Sequence, residues 1–268
     1  MKNKFNVVSG LRRGGTSVMM LALRQSGIPI IGFKYPFQFD FDYVNLKTRK
    51  VDKAKVKQDG GLLEPLEDVK KHNPKGFWEV SSITLKEGLQ EKHAGIGENG
   101  DLIKVTSDVL PTSNPKMIDK TIVMIREPRK VIASMLNAVP VENEKEWSRF
   151  AALGLLHNMV SCLKWLNYHK KKYRVVRYED LLENPAIIIK DICKFLKRGD
   201  YRFGVEVVEK KLDKEKPIEY NNNEIQEVEE FYFGNHNKGR KYNEYDIKKI
   251  QTKMEVLSAK HNIKLDKV

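Results

Sequence analysis

A chain of 268 residues with 40% hydrophobic side chains is long enough for one α/β domain with peripheral additions and a sizeable buried core. Its 49 basic and 36 acidic residues leave a formal net charge of +13, which favours an anionic partner: a nucleotide, a sulfated or phosphorylated substrate, a nucleic acid or a membrane surface. No apolar run approaches the roughly 18 residues of a membrane span, and the N-terminus enters a strand pattern too early for a signal peptide, so a soluble, cytoplasmic protein is expected.

The first predicted element is a strand, FNVVSG at residues 5–10, which runs through the loop LRRGGTS into the helical pattern VMMLALRQSG. A strand, a glycine-bearing loop and a helix in that order converge backbone N–H groups on an anion, as in a P-loop. The spacing is Gly10, four residues, Gly15, then Thr16 and Ser17. Thr16 therefore stands where a nucleotide triphosphatase carries lysine, and the cations come earlier, at Arg12 and Arg13. A turn at Gly27 leads to a second short strand at residues 28–31.

Residues 32–75 lose periodicity and read as an irregular insertion, an acceptor-binding lid or a plain surface excursion. Aromatic residues from Phe33 to Tyr43 precede the basic run LKTRKVDKAKVK rather than interleave with it, which argues against RNA binding there. The insertion closes on NPKGFWEVSSI, residues 73–83, a Pro/Gly turn delivering Trp78 and Glu79 to a helical segment.

DLIKVTSD, residues 101–108, reads as the next strand, with Lys104 inside a stretch expected to be buried. A lysine there is costly unless its head reaches an anion or a carboxylate. The following strand, TIVMIRE at 121–127, is a continuous apolar run suited to burial on both faces and ends at Arg126. Pro128 fits the first turn of the helix RKVIASMLNA, which places Ser134 eight residues after Arg126, so that both can face one phosphate.

A long helix is expected at 144–171, then a strand YRVVRYED at 173–180 and a helix capped at Asn184, opened by Pro185 and ending at Leu196. Cys162 and Cys193 fall on the apolar faces of these helices without metal-ligand spacing, so reduced core thiols and no metal site are expected. Three further helices are expected at 205–212, 223–233 and 242–262, with the basic segment GNHNKGRK between the last two. No repeat or linker interrupts the chain, which reads as a single domain over 1–268. Strands alternating with helices, with an anion loop after the first, imply a three-layer α/β fold: a parallel sheet whose site lies at the strands' C-terminal ends, with a helical extension from about residue 200.

At this point the sequence resembles the sulfotransferase family. SGLRRGGTS is similar to that family's loop for the 5′ end of the donor, usually PRSGT or PKSGT, with Arg12 where the family has proline and Gly14 where it has serine. IREPRKVIAS is similar to its 3′-phosphate motif, RYEDLLENP to its YEDL segment, and NPKGFWE with LIKV to a bacterial branch. The likeness covers roughly residues 5–196.

The resemblance implies transfer of a sulfuryl group from 3′-phosphoadenylyl sulfate (PAPS) to a hydroxyl or amine, leaving adenosine 3′,5′-bisphosphate (PAP), without a metal. It implies donor contacts from Arg12, Arg13, Gly14, Gly15, Thr16, Ser17, Arg126, Ser134 and Tyr178, and from Lys238 and Arg240 in the C-terminal basic segment. Arg13, the N–H groups of residues 14–17, and Lys104 would stabilise the departing 5′-phosphate, with Lys104 able to protonate it. Glu79 is the expected general base for a hydroxyl acceptor, with Asp108 as the rival. Tyr178 and Glu179 equally suit packing at a strand end, and Trp78 suits either an acceptor-pocket wall or the core. A P-loop kinase and an inactive, basic nucleotide- or nucleic-acid-binding protein are the competing readings. The acceptor and the oligomeric state are not legible in the sequence.

Overall fold

Alternation along the first strand sets the layers. In β1 (Phe5–Gly10) every residue is buried. Phe5 and Val7 pack into one apolar cluster and Val8 into another on the opposite face. The computed structural model describes residues 3–32, 44–45, 50–51, 78, 80, 83–137, 143–208, 217–219, 225–226, 228–230 and 252.

The other strands are β2 (Ile30–Ile31), β3 (Val44–Asn45), β4 (Lys50–Val51), β5 (Leu102–Lys104), β6 (Ile118–Ile125) and β7 (Lys172–Arg177). Five of them form a sheet in the order β2-β5-β1-β6-β7. All its pairings are parallel. β3 and β4 pair antiparallel apart from it. The helices are α1 (Thr16–Gln25), α2 (Pro128–Leu136), α3 (Glu144–Tyr168), α4 (Tyr178–Glu183), α5 (Pro185–Leu196) and α6 (Tyr201–Val205).

β6 shows why the sheet is covered on both sides. Ile122 and Met124 join Met20 and Leu23 of α1 and Ile189 and Ile192 of α5, while Val123 and Ile125 join Val131 of α2 and Leu156, Met159 and Leu163 of α3. Burying two successive apolar side chains on opposite faces at roughly 1.5–3 kcal/mol each is what a run such as IVMI is for. The three-layer α/β arrangement read from the sequence is the one the chain adopts.

The chain leaves β1 towards β2 on one side and leaves β6 towards β7 on the other. A crevice therefore opens at the C-terminal ends of these central strands, where ligands of open α/β sheets bind. The register brings the turns level there, with Val8 opposite Lys104 and Gly10 opposite Met124.

Several element boundaries differ from expectation. The strand expected at 101–108 ends at Lys104; Thr106 turns aside, its N–H and its hydroxyl both bonding the carbonyl of Thr84, at 3.1 and 2.7 Å. The strand expected at 173–180 runs over Lys172–Arg177, and Tyr178 opens α4 instead of ending the strand. Glu179 and Asp180 in that first turn complement the helix dipole, which favours the early start. Of the helix expected at 205–212, the described residues 206–208 are not helical; a short helix lies at Tyr201–Val205, where Asp200 caps it by accepting the N–H of Arg202 at 3.1 Å. Residues 209–212 are outside the described set, as is most of 32–75. The described parts of the two last expected helices, 225–226, 228–230 and 252, are helical. Ile225 and Val228 are buried in the same cluster as Phe5 and Val131.

Both cysteines are free and buried, as expected. Burial pushes the Cys162 thiol up to about 12, against a weaker opposing hydrogen bond with Ser9. Among the described residues no helix is long and apolar enough to cross a membrane.

Candidate functional site

The loop after β1 is shaped by two close approaches and one unusual backbone conformation. Gly14 donates its N–H to the carbonyl of Leu11 at 2.9 Å, and a Cβ at Gly14 would meet that same oxygen at 2.9 Å. This N–H closes the turn, which corrects the expectation that it is offered to a ligand. Gly15 has φ 88°, in the left-handed region, and a Cβ there would lie 2.3 Å from Cδ2 of Tyr178. Only glycine meets both demands. Arg13 is left-handed as well, at φ 66°, which costs a side-chain-bearing residue about 1 kcal/mol or more.

Such a conformation persists only where neighbours hold it, and Arg126 does so. Its Nη1 donates to the carbonyl oxygen of Arg13 at 3.1 Å, and its guanidinium stacks 4.8 Å from the ring centre of Tyr178. Arg126 is buried, directly beyond the end of β6. Tyr178 is thereby packed between the arginine and Gly15.

α1 starts at Thr16 with Gly15 as its N-cap, no side-chain cap and no acidic residue in its first turn. Its positive end faces the crevice with nothing of its own to neutralise it. Lys104, only 4% exposed, reaches across from β5 and donates from Nζ to Ser17 Oγ at 3.2 Å. A buried ammonium beside an uncapped helix N-terminus concentrates positive charge at one point, an arrangement suited to an anion.

Arg13, Gly14, Gly15, Thr16, Ser17, Lys104, Arg126 and Tyr178 are thus brought together by β1, β5, β6 and α4. Ser134 is buried two turns into α2, the helix that follows Arg126. Arg12 points its guanidinium to Asp108, with Nη2 3.6 Å from Oδ2, in a pair whose side chains are 56% and 32% exposed. Glu79, Lys238 and Arg240 lie outside the described residues. Trp78, with φ 54°, is buried in the cluster containing Val8 and Met20, under the guanidinium of Arg24 at 4.3 Å. Of the two readings of Trp78, the core one holds.

Three contacts, made by two side chains, were not foreseen. Glu179 Oε1 accepts the backbone N–H of Glu127, the N-cap of α2, at 2.8 Å. Burial pushes the Glu179 carboxyl above its ordinary value, against the opposing effects of that N–H, its own backbone N–H, and the charges of Arg177 and Arg126. The YED segment signals an acidic helix start, but nothing local says which N–H it reaches. Arg129 on α2 bonds Glu229 Oε1 at 2.5 Å and the carbonyl of Ile218 at 3.3 Å, tying the C-terminal segment to the same helix. Among the described residues, no group of three or more His, Cys, Asp or Glu side chains is arranged to hold a metal ion.

A loop of this kind, a buried strand-end lysine and an arginine entering a helix invite comparison with known proteins. A search of curated proteins gives no match. Among solved structures the chain is similar to the sulfotransferase domain of the Synechococcus olefin synthase, at 14% identity over 99% of this chain and 98% of that one, with a TM-score of 0.43. It is also similar to a sulfotransferase from Mycobacterium avium, at 13% identity over 100% of this chain and 79% of that one, with a TM-score of 0.46. Residues 7–262 match the family described as the sulfotransferase domain, so nearly the whole chain, including the loop, Lys104, Arg126 and the YED segment, belongs to the sulfotransferase domain family.

Proposed function

We propose that the protein transfers a sulfuryl group from PAPS to a hydroxyl or amine acceptor by in-line displacement, with one catalytic unit formed by the whole chain. The observation that carries this reading is the 3.2 Å contact from Lys104 Nζ to Ser17 Oγ at the uncapped start of α1. It puts a cation and a hydroxyl beside helix N–H groups, where a 5′-phosphate would sit.

The residues fit the donor. The N–H groups of the α1 start, Ser17, Arg13 and Lys104 hold the 5′-phosphate end, and Arg126 with Ser134 holds the 3′-phosphate. Arg12, within the same loop and paired with Asp108 at 3.6 Å, adds its charge at the 5′-phosphate end. Lys238 and Arg240, on the basic C-terminal segment, add charge around the donor.

In the reaction the acceptor oxygen or nitrogen attacks sulfur opposite the bridging oxygen. One bond to sulfur forms as the bond from sulfur to that oxygen breaks, and its electron pair stays on the 5′-phosphate of PAP. Lys104 and the α1 N–H groups stabilise the charge developing there, and Lys104 is the group able to give it a proton. Glu79 takes the proton from a hydroxyl acceptor. The sulfuryl group carries less charge than a phosphoryl group, so this arrangement calls for no divalent ion.

Thermal unfolding with added nucleotides tests the donor reading. Stabilisation by adenosine 3′,5′-bisphosphate in the presence of a chelator is expected. Stabilisation only by ATP with magnesium would point to a kinase instead. Binding of RNA or DNA that falls steeply with salt, without sulfate transfer, would point to a binding protein.

A further inference from the structure

β5 carries Lys104 at its last position, and the strands on its two sides do not reach equally far. β1 has Val8 opposite Lys104 and continues to Gly10. β2 stops at Ile31, opposite Ile103. Along a strand, successive residues turn their backbone groups to alternate sides. The Leu102 N–H goes to the carbonyl of Pro29 on the β2 side at 2.9 Å, and the Val105 N–H to the carbonyl of Val8 on the β1 side at 3.0 Å. The carbonyl of Lys104 and the N–H of Thr106 therefore face the β2 side, beyond the point where β2 ends.

Thr84 fills that place. Its Oγ1 donates to the Lys104 carbonyl at 2.9 Å, and its own carbonyl accepts the Thr106 N–H at 3.1 Å and the Thr106 hydroxyl at 2.7 Å. In a parallel ladder a residue donates its N–H to the residue before its partner and accepts from the residue after it. Thr84 makes both links around Val105 with its hydroxyl in place of the N–H, which is already given to the carbonyl of Val80 at 2.8 Å. The residue lies in the π-helical turn Ile83–Glu87, a kind of turn frequent at functional sites.

We infer that Thr84 is a positioning residue for Lys104: its hydroxyl, standing in for a strand's N–H, fixes the end of β5 so that the ammonium meets the 5′-phosphate. This rests on the donor reading above.

Thr84 is completely buried, so it acts through the backbone of Lys104 and not on the donor. The Lys104 side chain is buried as well and ends with Nζ at 3.2 Å from Ser17 Oγ, so a shift of the strand end is carried to the start of α1. Removing the Thr84 hydroxyl takes a hydrogen bond from a buried carbonyl and leaves the β2 side of the strand end held only through Thr106.

Calorimetric titration of the intact protein with adenosine 3′,5′-bisphosphate and with 3′-AMP, which lacks the 5′-phosphate, tests this. Thr84→Val keeps the shape and removes the hydroxyl; it is expected to weaken the bisphosphate about tenfold and 3′-AMP less than about twofold. Thr84→Ser restores the hydroxyl and is expected to bind both within about twofold of wild type. In a Lys104→Ala background, Thr84→Val is expected to add less than about a twofold change, because the side chain it positions is gone. A protein that is merely destabilised would show neither this selectivity nor this dependence on Lys104. If Thr84→Val fails to fold, Thr106→Val, which removes the hydroxyl bond to Thr84 and keeps the N–H bond, is expected to show the same pattern at about threefold.

Wild-type binding of both nucleotides by the valine variant that folds, equal weakening of both, or a loss that persists in the Lys104→Ala background would overturn the positioning role. So would a loss in Thr84→Ser as large as that in Thr84→Val. A wild-type protein that binds adenosine 3′,5′-bisphosphate no more tightly than 3′-AMP would instead overturn the donor reading itself.

Discussion

Arg126 Nη1 donates to the carbonyl oxygen of Arg13 at 3.1 Å, so the arginine assigned to the 3′-phosphate also supports the left-handed residue of the 5′-phosphate loop. In the donor site proposed above, one side chain thus serves both halves. Arg126→Ala is expected to weaken adenosine 3′,5′-bisphosphate by about thirtyfold or more and 5′-AMP by only about threefold, because a charge-assisted phosphate contact outweighs a single carbonyl hydrogen bond. Titration of both nucleotides by calorimetry checks this; equal losses would separate Arg126 from the 3′-phosphate.

Gly15 has neither the backbone conformation nor the space for a side chain. Gly15→Ala places a side chain at φ 88° and drives its Cβ to 2.3 Å from the Tyr178 ring. A loss of more than about 2 kcal/mol in stability is expected, together with loss of bisphosphate binding. Chemical denaturation measures the first, and an unchanged midpoint would show that the loop relaxes away from Tyr178.

Glu79 and Asp108 make opposite predictions. Glu79→Gln is expected to lower turnover on a hydroxyl acceptor by about a hundredfold or more with bisphosphate binding intact. Asp108→Asn removes an ion pair with Arg12 that is partly exposed, and is expected to hold turnover within about fivefold, since such pairs contribute under about 1 kcal/mol. Steady-state kinetics of the two variants decide which carboxylate takes the proton.

Glu179 makes stability depend on pH in a stated direction. Burial raises its folded-state value above the ordinary 4.5, so its contribution to the fold is fully present below that value and is lost as pH rises through the raised one. Glu179→Gln does not titrate. Its melting temperature relative to wild type is expected to climb across that window and then level off. Melting curves from acid to neutral pH check this, and a constant difference would contradict it.

The parts legible in the sequence are those carried by short-range spacing. FNVVSGLRRGGTS is a strand, a loop and a helix in thirteen consecutive residues, and the glycine at 15 is required by its own backbone. Arg126, Pro128 and Ser134 follow in one stretch, and the apolar run of β6 signals a strand buried on both faces. What stayed hidden depends on residues distant in sequence. Glu179 meets Glu127 across 52 positions, and Arg12 meets Asp108 from a neighbouring strand end, so no local pattern reports either contact. β5 reads as longer than it is because Val105 is apolar and buried, yet its neighbour Thr106 bonds Thr84 outside the sheet. Tyr178 reads as the end of a strand because aromatic residues suit strands, but the acidic pair after it suits a helix start better.

The most direct measurement is transfer of labelled sulfate from PAPS to a panel of hydroxyl and amine acceptors, with a chelator present, by wild type and by Lys104→Ala. Wild type is expected to label at least one acceptor class while releasing adenosine 3′,5′-bisphosphate, and Lys104→Ala to do so about a hundredfold or more slowly. Transfer that survives unchanged in Lys104→Ala, or bisphosphate binding by wild type with no acceptor labelled across the panel, would contradict this account of the site.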